Sequence, residues 1–300
     1  MQSPDPVLVS AIVRRAVSEC IGSFQSPGSP STSREAEECF HSPTAQAIKE
    51  EIILTGKKLW DRQYVDGNGG NMSVRMAEEY VICTPTLCSK RDMRVEDLSL
   101  VDLENGKICG GSRPTSEILL HLEIYKAVPA AKAVVHCHPP YATAYAIAGT
   151  VPPGNLIPEQ EVFVGPVALA PYETPGTMAF AKTVLPFVQD HNTILLANHG
   201  IVCWGDTITH AEWYVEVVDT YCKTVMIARQ LGTPINEIPA DKVTDLLAIK
   251  KRLGLPDPRL ATGETVKSNS TGPVAAQGEE IEQLVSALTS QVMKFLEIKG

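Results

Sequence analysis

Between Ala45 and Leu231 the chain alternates helical and strand-like runs, yet never in the strict strand, helix, strand repetition that winds a parallel sheet. This irregular alternation predicts a three-layer α/β fold (αβα): a mainly antiparallel central sheet covered by helices. A helix over Ala45 to Arg62 ends before Asp66-Gly67-Asn68-Gly69-Gly70, a loop too glycine-rich to be an element interior. Met72 to Met76 and Tyr80 to Cys83 read as a hairpin, and Leu98 to Leu103 as a strand before the Glu104-Asn105-Gly106 turn. Helices are expected over Ser116 to Val128, where Pro129 stops the run, over Pro140 to Ala148 and over Met178 to Val188. Strands are expected at Ala133 to Cys137, Val167 to Ala170, Thr193 to Leu196 and Ile201 to Trp204. A long helix from Thr207 to Gln230 closes the core, with Asp206 and Glu212 near its positive end and Arg229 near its negative end. Ala240 to Arg252 adds a small helix packed on that core.

Outside residues 45–260, the expected catalytic domain, the composition changes. SFQSPGSPSTS and ATGETVKSNSTGPVAAQG are small and polar, so residues 23–44 and 261–278 read as disordered linkers. Beyond them, residues 1–22 and 279–300 carry helical stripes, Val9, Ile12, Val13, Ala16, Val17 at one end and Ile281, Leu284, Val285, Leu288, Val292 at the other. Each is an amphipathic helix on a flexible tether, and a targeting role fits both. Arg14 and Arg15 split the N-terminal apolar run, which excludes a secretory signal, and no stretch reaches the roughly 18 apolar residues of a membrane span. With 26 Lys and Arg against 35 Asp and Glu the net charge is −9, with neither sign in a long run, so no nucleic-acid partner is expected. Eight cysteines without a C-x-x-C pair suit reduced thiols and a cytoplasmic location.

The chemistry concentrates in Val134-Val135-His136-Cys137-His138-Pro139-Pro140. A strand alternates its side chains, so His136 and His138 leave one face, about 6.5 Å apart along the strand, and can converge on one cation. A hydrogen-bonded histidine pair at a strand end is the competing reading. Leu196-Ala197-Asn198-His199-Gly200 places a third histidine at another strand end, and Pro114-Thr115-Ser116-Glu117 places a carboxylate in the first turn of a helix. Three neutral nitrogens and one oxygen form a divalent-metal set that suits zinc. Taken alone, Glu117 also reads as an ordinary carboxylate favoured by the helix macrodipole.

In this order, Gly70-Asn71-Met72-Ser73, Thr84-Pro85-Thr86, Pro114-Thr115-Ser116-Glu117, His136-Cys137-His138 and Asn198-His199-Gly200 resemble the class II aldolase/adducin family, in its L-fuculose-1-phosphate aldolase branch. The resemblance covers roughly residues 46–232. It implies that Glu117, His136, His138 and His199 hold a catalytic Zn²⁺, and that Glu117 leaves the metal to act as the base. The implied reaction cleaves a deoxyketose 1-phosphate, L-fuculose or L-rhamnulose 1-phosphate, to dihydroxyacetone phosphate and lactaldehyde in a homotetramer. The phosphate is expected at backbone donors of Gly70 and Asn71, hydroxyls of Thr84, Thr86, Thr115 and Ser116, and a helix N-terminus at Ser116. The terminal helices resemble encapsulation peptides that recruit enzymes into bacterial microcompartments by binding shell proteins or other cargo.

The sequence also departs from that branch. Leu87 stands where glycine is usual, and Asn68-Gly69 replaces Thr-Ser. The tyrosines used as general acid have no counterpart, since none lies between Tyr145 and Tyr172 or after Tyr221; Glu159 and Glu161 occupy that loop, as substitutes or as solvated charges. Epimerases of the fold carry aspartate at the position of Glu117. Methylthioribulose-phosphate dehydratases share the zinc site and remain open, as does a non-catalytic adducin-like binding protein.

Overall fold

The computed structural model describes residues 34–262, which leaves the amphipathic segments expected at 1–22 and 279–300 outside the described residues. A short helix and a long one open it, α1 (Arg34–Phe40) and α2 (Pro43–Asp61). Ser42 starts the second by accepting a hydrogen bond from Ala45 N at 3.2 Å, with Pro43 in the first turn where its missing N–H costs nothing. The linker expected over 23–44 is therefore helical in its last part. Ala36 and Phe40 bury against the core, and Lys49 Nζ donates to Phe40 O at 2.7 Å, so apolar contacts override a polar composition.

The sheet follows: β1 (Asn71–Arg75), β2 (Tyr80–Cys83), β3 (Ser99–Asp102), β4 (Ile108–Gly111), β5 (Ala133–Cys137), β6 (Ala168–Ala170), β7 (Thr193–Leu196) and β8 (Gly200–Gly205). Their spatial order is β4-β3-β2-β1-β5-β8-β7-β6, antiparallel throughout except for the β6 and β7 pair. β4 was not expected: Ile-Cys-Gly-Gly has the composition of a turn, and only pairing with β3 across a bulge at Leu100 and Val101 makes it a strand.

The remaining helices are α3 (Ile118–Ala127), α4 (Pro140–Ile147), α5 (Met178–Lys182), α6 (Ile208–Gln230), α7 (Ala240–Arg252) and α8 (Pro258–Thr262). α5 is shorter than the run to Val188 implied, because the chain continues in turns around Pro186. Gln160–Val164 forms a π-helical turn that no periodicity announced.

Strand alternation sorts the two apolar layers. Met72, Val74, Val135, Cys137, Ile201 and Cys203 share one core with α1, α2, α4 and α6. Val81, Val101, Val134, Val202 and Trp204 face the other with Leu120, Ile124 and Phe180 of α3 and α5. The three-layer arrangement follows, and His136, in step with Val134, lies on the face that α3 covers. Among the described residues no helix is long and apolar enough to cross a membrane.

Candidate metal centre and active site

β5 and the β7 to β8 turn bring the three expected histidines together. One ring nitrogen from each lies within 4.8 Å of the others, so the three could hold a metal ion, and His136 Nε2 stands 3.2 Å from His138 Nε2. His199 enters from a tight turn in which Asn198 takes a left-handed conformation at φ 56°. Gly200 has to be glycine: a Cβ there would lie 2.5 Å from Cys137 O and 2.7 Å from His138 Cδ2, so the turn can press against β5 only without one.

Glu117, at the N-terminal end of α3, completes the cluster from above the sheet. Its Oε2 is 3.2 Å from His136 Nε2 and its Oε1 3.5 Å from His199 Nε2. It therefore meets two of the three rings. A tetrahedral ion with metal–ligand bonds near 2.05 Å has edges of about 3.4 Å, so these separations suit one small cation. The tautomer agrees: buried His136 donates Nδ1–H to Ile201 O at 2.9 Å, which leaves the Nε2 lone pair facing the cluster.

Burial keeps the rings neutral. It lowers the pKa of His136 well below 6.5, helped by the neighbouring His138 and His199, and lowers His138 to about 4. His199 is lowered too, with the Glu117 charge opposing the shift. Neutral imidazoles are the form that ligates a metal. His199 Nδ1 is buried without a partner among the described residues.

The candidate phosphate residues also gather nearby, through a bridge between Pro85 and Pro114 that joins their two loops. Several side chains are already engaged. Thr84 Oγ1 accepts from Met72 N at 3.2 Å, Thr115 Oγ1 accepts from Glu117 N at 3.3 Å, and Asn71 Nδ2 donates to Glu117 Oε2 at 2.8 Å. Ser116 is exposed and Thr86 partly so. The helix starts later than expected, with Glu117 itself at the N-cap.

Lys90 escaped the sequence reading, since beside Arg91 and Asp92 it has the look of a solvated charge. It is buried, and Nζ donates to Asn68 O at 3.1 Å and to Cys88 O at 2.8 Å, stapling the glycine loop to the segment after Thr86. Desolvation lowers its pKa to about 8. Glu161, weighed as a general acid, is buried and accepts from Arg259 Nη1 at 2.7 Å, while Glu159 is exposed. Glu161 is thus held in an ion pair with the chain's C-terminal part.

Residues 50–226 match the model of the Class II Aldolase and Adducin N-terminal domain. The 3-oxo-tetronate 4-phosphate decarboxylase of Haemophilus influenzae is 33% identical over 207 residues, 68% of this chain and 97% of its own. An L-fuculose phosphate aldolase of Methanococcus maripaludis is 37% identical over 174 residues, 58% of this chain and 93% of its own. Among solved structures, the YgbL protein of Klebsiella pneumoniae superposes with a TM-score of 0.63 at 30% identity, covering 68% of this chain and all of that one. The chain belongs to the class II aldolase and adducin family, among relatives that are lyases.

Proposed function

We propose that this protein is a zinc-dependent aldolase that breaks the C3–C4 bond of a deoxyketose 1-phosphate, with L-fuculose and L-rhamnulose 1-phosphate as the first candidates. The observation that carries the reading is the cluster of His136, His138 and His199, with Glu117 3.2 Å from His136 and 3.5 Å from His199. Three imidazoles and a carboxylate suit Zn²⁺, and would hold it. When bound, the ion supplies a Lewis acid for the negative charge that appears on oxygen as the bond breaks.

The chain's own residues do the rest. The bond electrons stay on C3, the C4 hydroxyl loses its proton as the aldehyde forms, and C3 takes one up. Glu117 is the carboxylate within reach of that centre, and in this reading it holds and returns the C3 proton. Thr86, Ser116 and the backbone of Gly70 and Asn71 hold the phosphate in this reading, because Thr84 and Thr115 are buried and the Asn71 amide is spent on Glu117 and His121.

Decarboxylation is a second reading, favoured by the similarity to the Haemophilus influenzae enzyme over 97% of its length. Loss of CO₂ from a 3-oxo acid 4-phosphate leaves the same three-carbon enediolate that cleavage of a ketose 1-phosphate leaves, so only the departing fragment differs. Purified enzyme should release dihydroxyacetone phosphate from one of these substrates, lose activity with chelator and regain it with zinc. Detection of lactaldehyde or of CO₂ separates the two readings, and no product from any of them at saturating zinc refutes both.

We extend the proposal to assembly: a homotetramer, and recruitment to a microcompartment through residues 1–22 and 279–300. A sedimentation mass of one 32.5 kDa chain refutes the first. Failure of both segments, fused to a fluorescent protein, to co-purify with shells refutes the second.

A further inference from the structure

Behind Glu117 runs a buried line of polar side chains whose protons all point one way. Asn71 Nδ2 donates to Glu117 Oε2 at 2.8 Å, which turns Asn71 Oδ1 toward His121 Nε2 at 2.6 Å. The opposite amide orientation would press oxygen against a carboxylate oxygen. An amide oxygen brings no proton, so His121 Nε2 carries it. His121 has no exposure and no acidic partner, so it is neutral and its Nδ1 is bare. That nitrogen accepts from Ser73 Oγ at 2.7 Å. With the Ser73 proton spent, Tyr125 OH is the donor, its one proton shared between Ser73 Oγ at 2.8 Å and Ser73 O at 2.9 Å.

The geometry behind this is simple. Asn71 and Ser73 share a face of β1, two residues apart, and Glu117, His121 and Tyr125 recur at intervals of four on α3. Strand and helix therefore interleave rung by rung, from Tyr125 to the edge of the metal cluster. Fully satisfied buried networks of this kind are rigid, and each bond polarises the next.

We propose that His121 is a positioning residue for Glu117: by donating from Nε2 it locks the Asn71 amide with its NH₂ on Oε2 and so orients the carboxylate toward His136 and His199. The proposal rests on the reading that Glu117 serves the metal and the proton transfer. Without the His121 donor Glu117 still selects the amide orientation, but Asn71 Oδ1 is left buried with no partner on that side, so the amide is no longer held from both ends and the carboxylate loses its fixed direction.

The test compares His121→Phe, which keeps a ring but neither nitrogen, with His121→Gln, whose amide can donate to Asn71 and accept from Ser73. Zinc affinity, measured by competition with a chromophoric chelator, should fall about 10-fold in His121→Phe, the lower end of what losing an outer partner of a metal ligand costs. It should recover most of that loss in His121→Gln. On whichever substrate is cleaved, kcat should fall similarly while KM stays within about twofold. Asn71→Leu should show the same zinc loss, and adding His121→Phe to it should cost nothing more, because both act through one bond. Ser73→Ala, a smaller change, should lower zinc affinity in the same direction if His121→Phe does not fold. Unchanged zinc affinity in a folded His121→Phe, or in Ser73→Ala, or full additivity with Asn71→Leu, overturns the proposal. The zinc measurement needs no substrate, so absence of turnover on every candidate would count against the proposed function alone.

Discussion

Lowering the pH should destabilise this protein through His121 by an amount that can be worked out. The unfolded chain protonates this ring near 6.5, whereas burial holds it down to about 3 in the folded state. Between those values the unfolded state binds a proton that the folded state refuses, so stability is intact above pH 6.5 and is lost progressively as pH falls toward 3. From pH 7 to pH 5 the loss from this one residue is about 2 kcal/mol, and it changes little if the folded value is a unit higher. The assay is urea unfolding of chelator-treated protein at pH 7 and pH 5, at equal protein concentration, for the natural sequence and for His121→Gln. His136, His138 and His199 push in the same direction in both proteins and cancel in the comparison. The variant should therefore lose about 2 kcal/mol less between the two pH values than the natural sequence does. Equal losses would mean that the folded protein protonates His121 freely, and the burial argument would fail.

Three further outcomes follow from the structure. His136→Ala and His199→Ala should lose metal and activity together, while Glu117→Gln keeps most of the metal and loses turnover; metal analysis beside kinetics checks this. Arg259→Leu leaves buried Glu161 and Asp257 short of their partner, and should cost about 3 kcal/mol in denaturant unfolding; a cost near zero would show that water replaces the guanidinium. Leu87 is 80% exposed with φ at 54°, so Leu87→Gly relieves a left-handed strain of about 1 kcal/mol with no packing lost, and the melting temperature should not fall.

The clustering of His136, His138 and His199 was legible because these residues obey strand periodicity. His136 and His138 must share a face, and His199 must sit where a strand meets a glycine. The layers were legible for the same reason, since Val134 and Val135 belong to opposite cores whichever strands pair beside them. What escaped was set by contacts distant in sequence. β4 is a strand only because β3 lies alongside, and Lys90 is buried only because two loops close over it. Glu161 offered an acid by position, but its partner Arg259 lies 98 residues away in a stretch whose own signal was faint. His121 passed as one more helix residue, because its meaning depends on Asn71 and Ser73 across the layer boundary.

Lys250, Asp257, Arg259 and Glu161 gather where the end of the described chain meets the π-helical turn. Lys250 Nζ donates to Val164 O at 2.6 Å and pairs with Asp257 at 3.2 Å, while Arg259 bridges Asp257 and Glu161. In mechanical terms this is a strain relief. Tension applied at Thr262 is borne first by three buried charges and the half-buried Arg259, none of which touches His136, His138 or His199. A chain fastened this way can be tugged, tethered or crowded at Thr262 without the load reaching the histidine cluster.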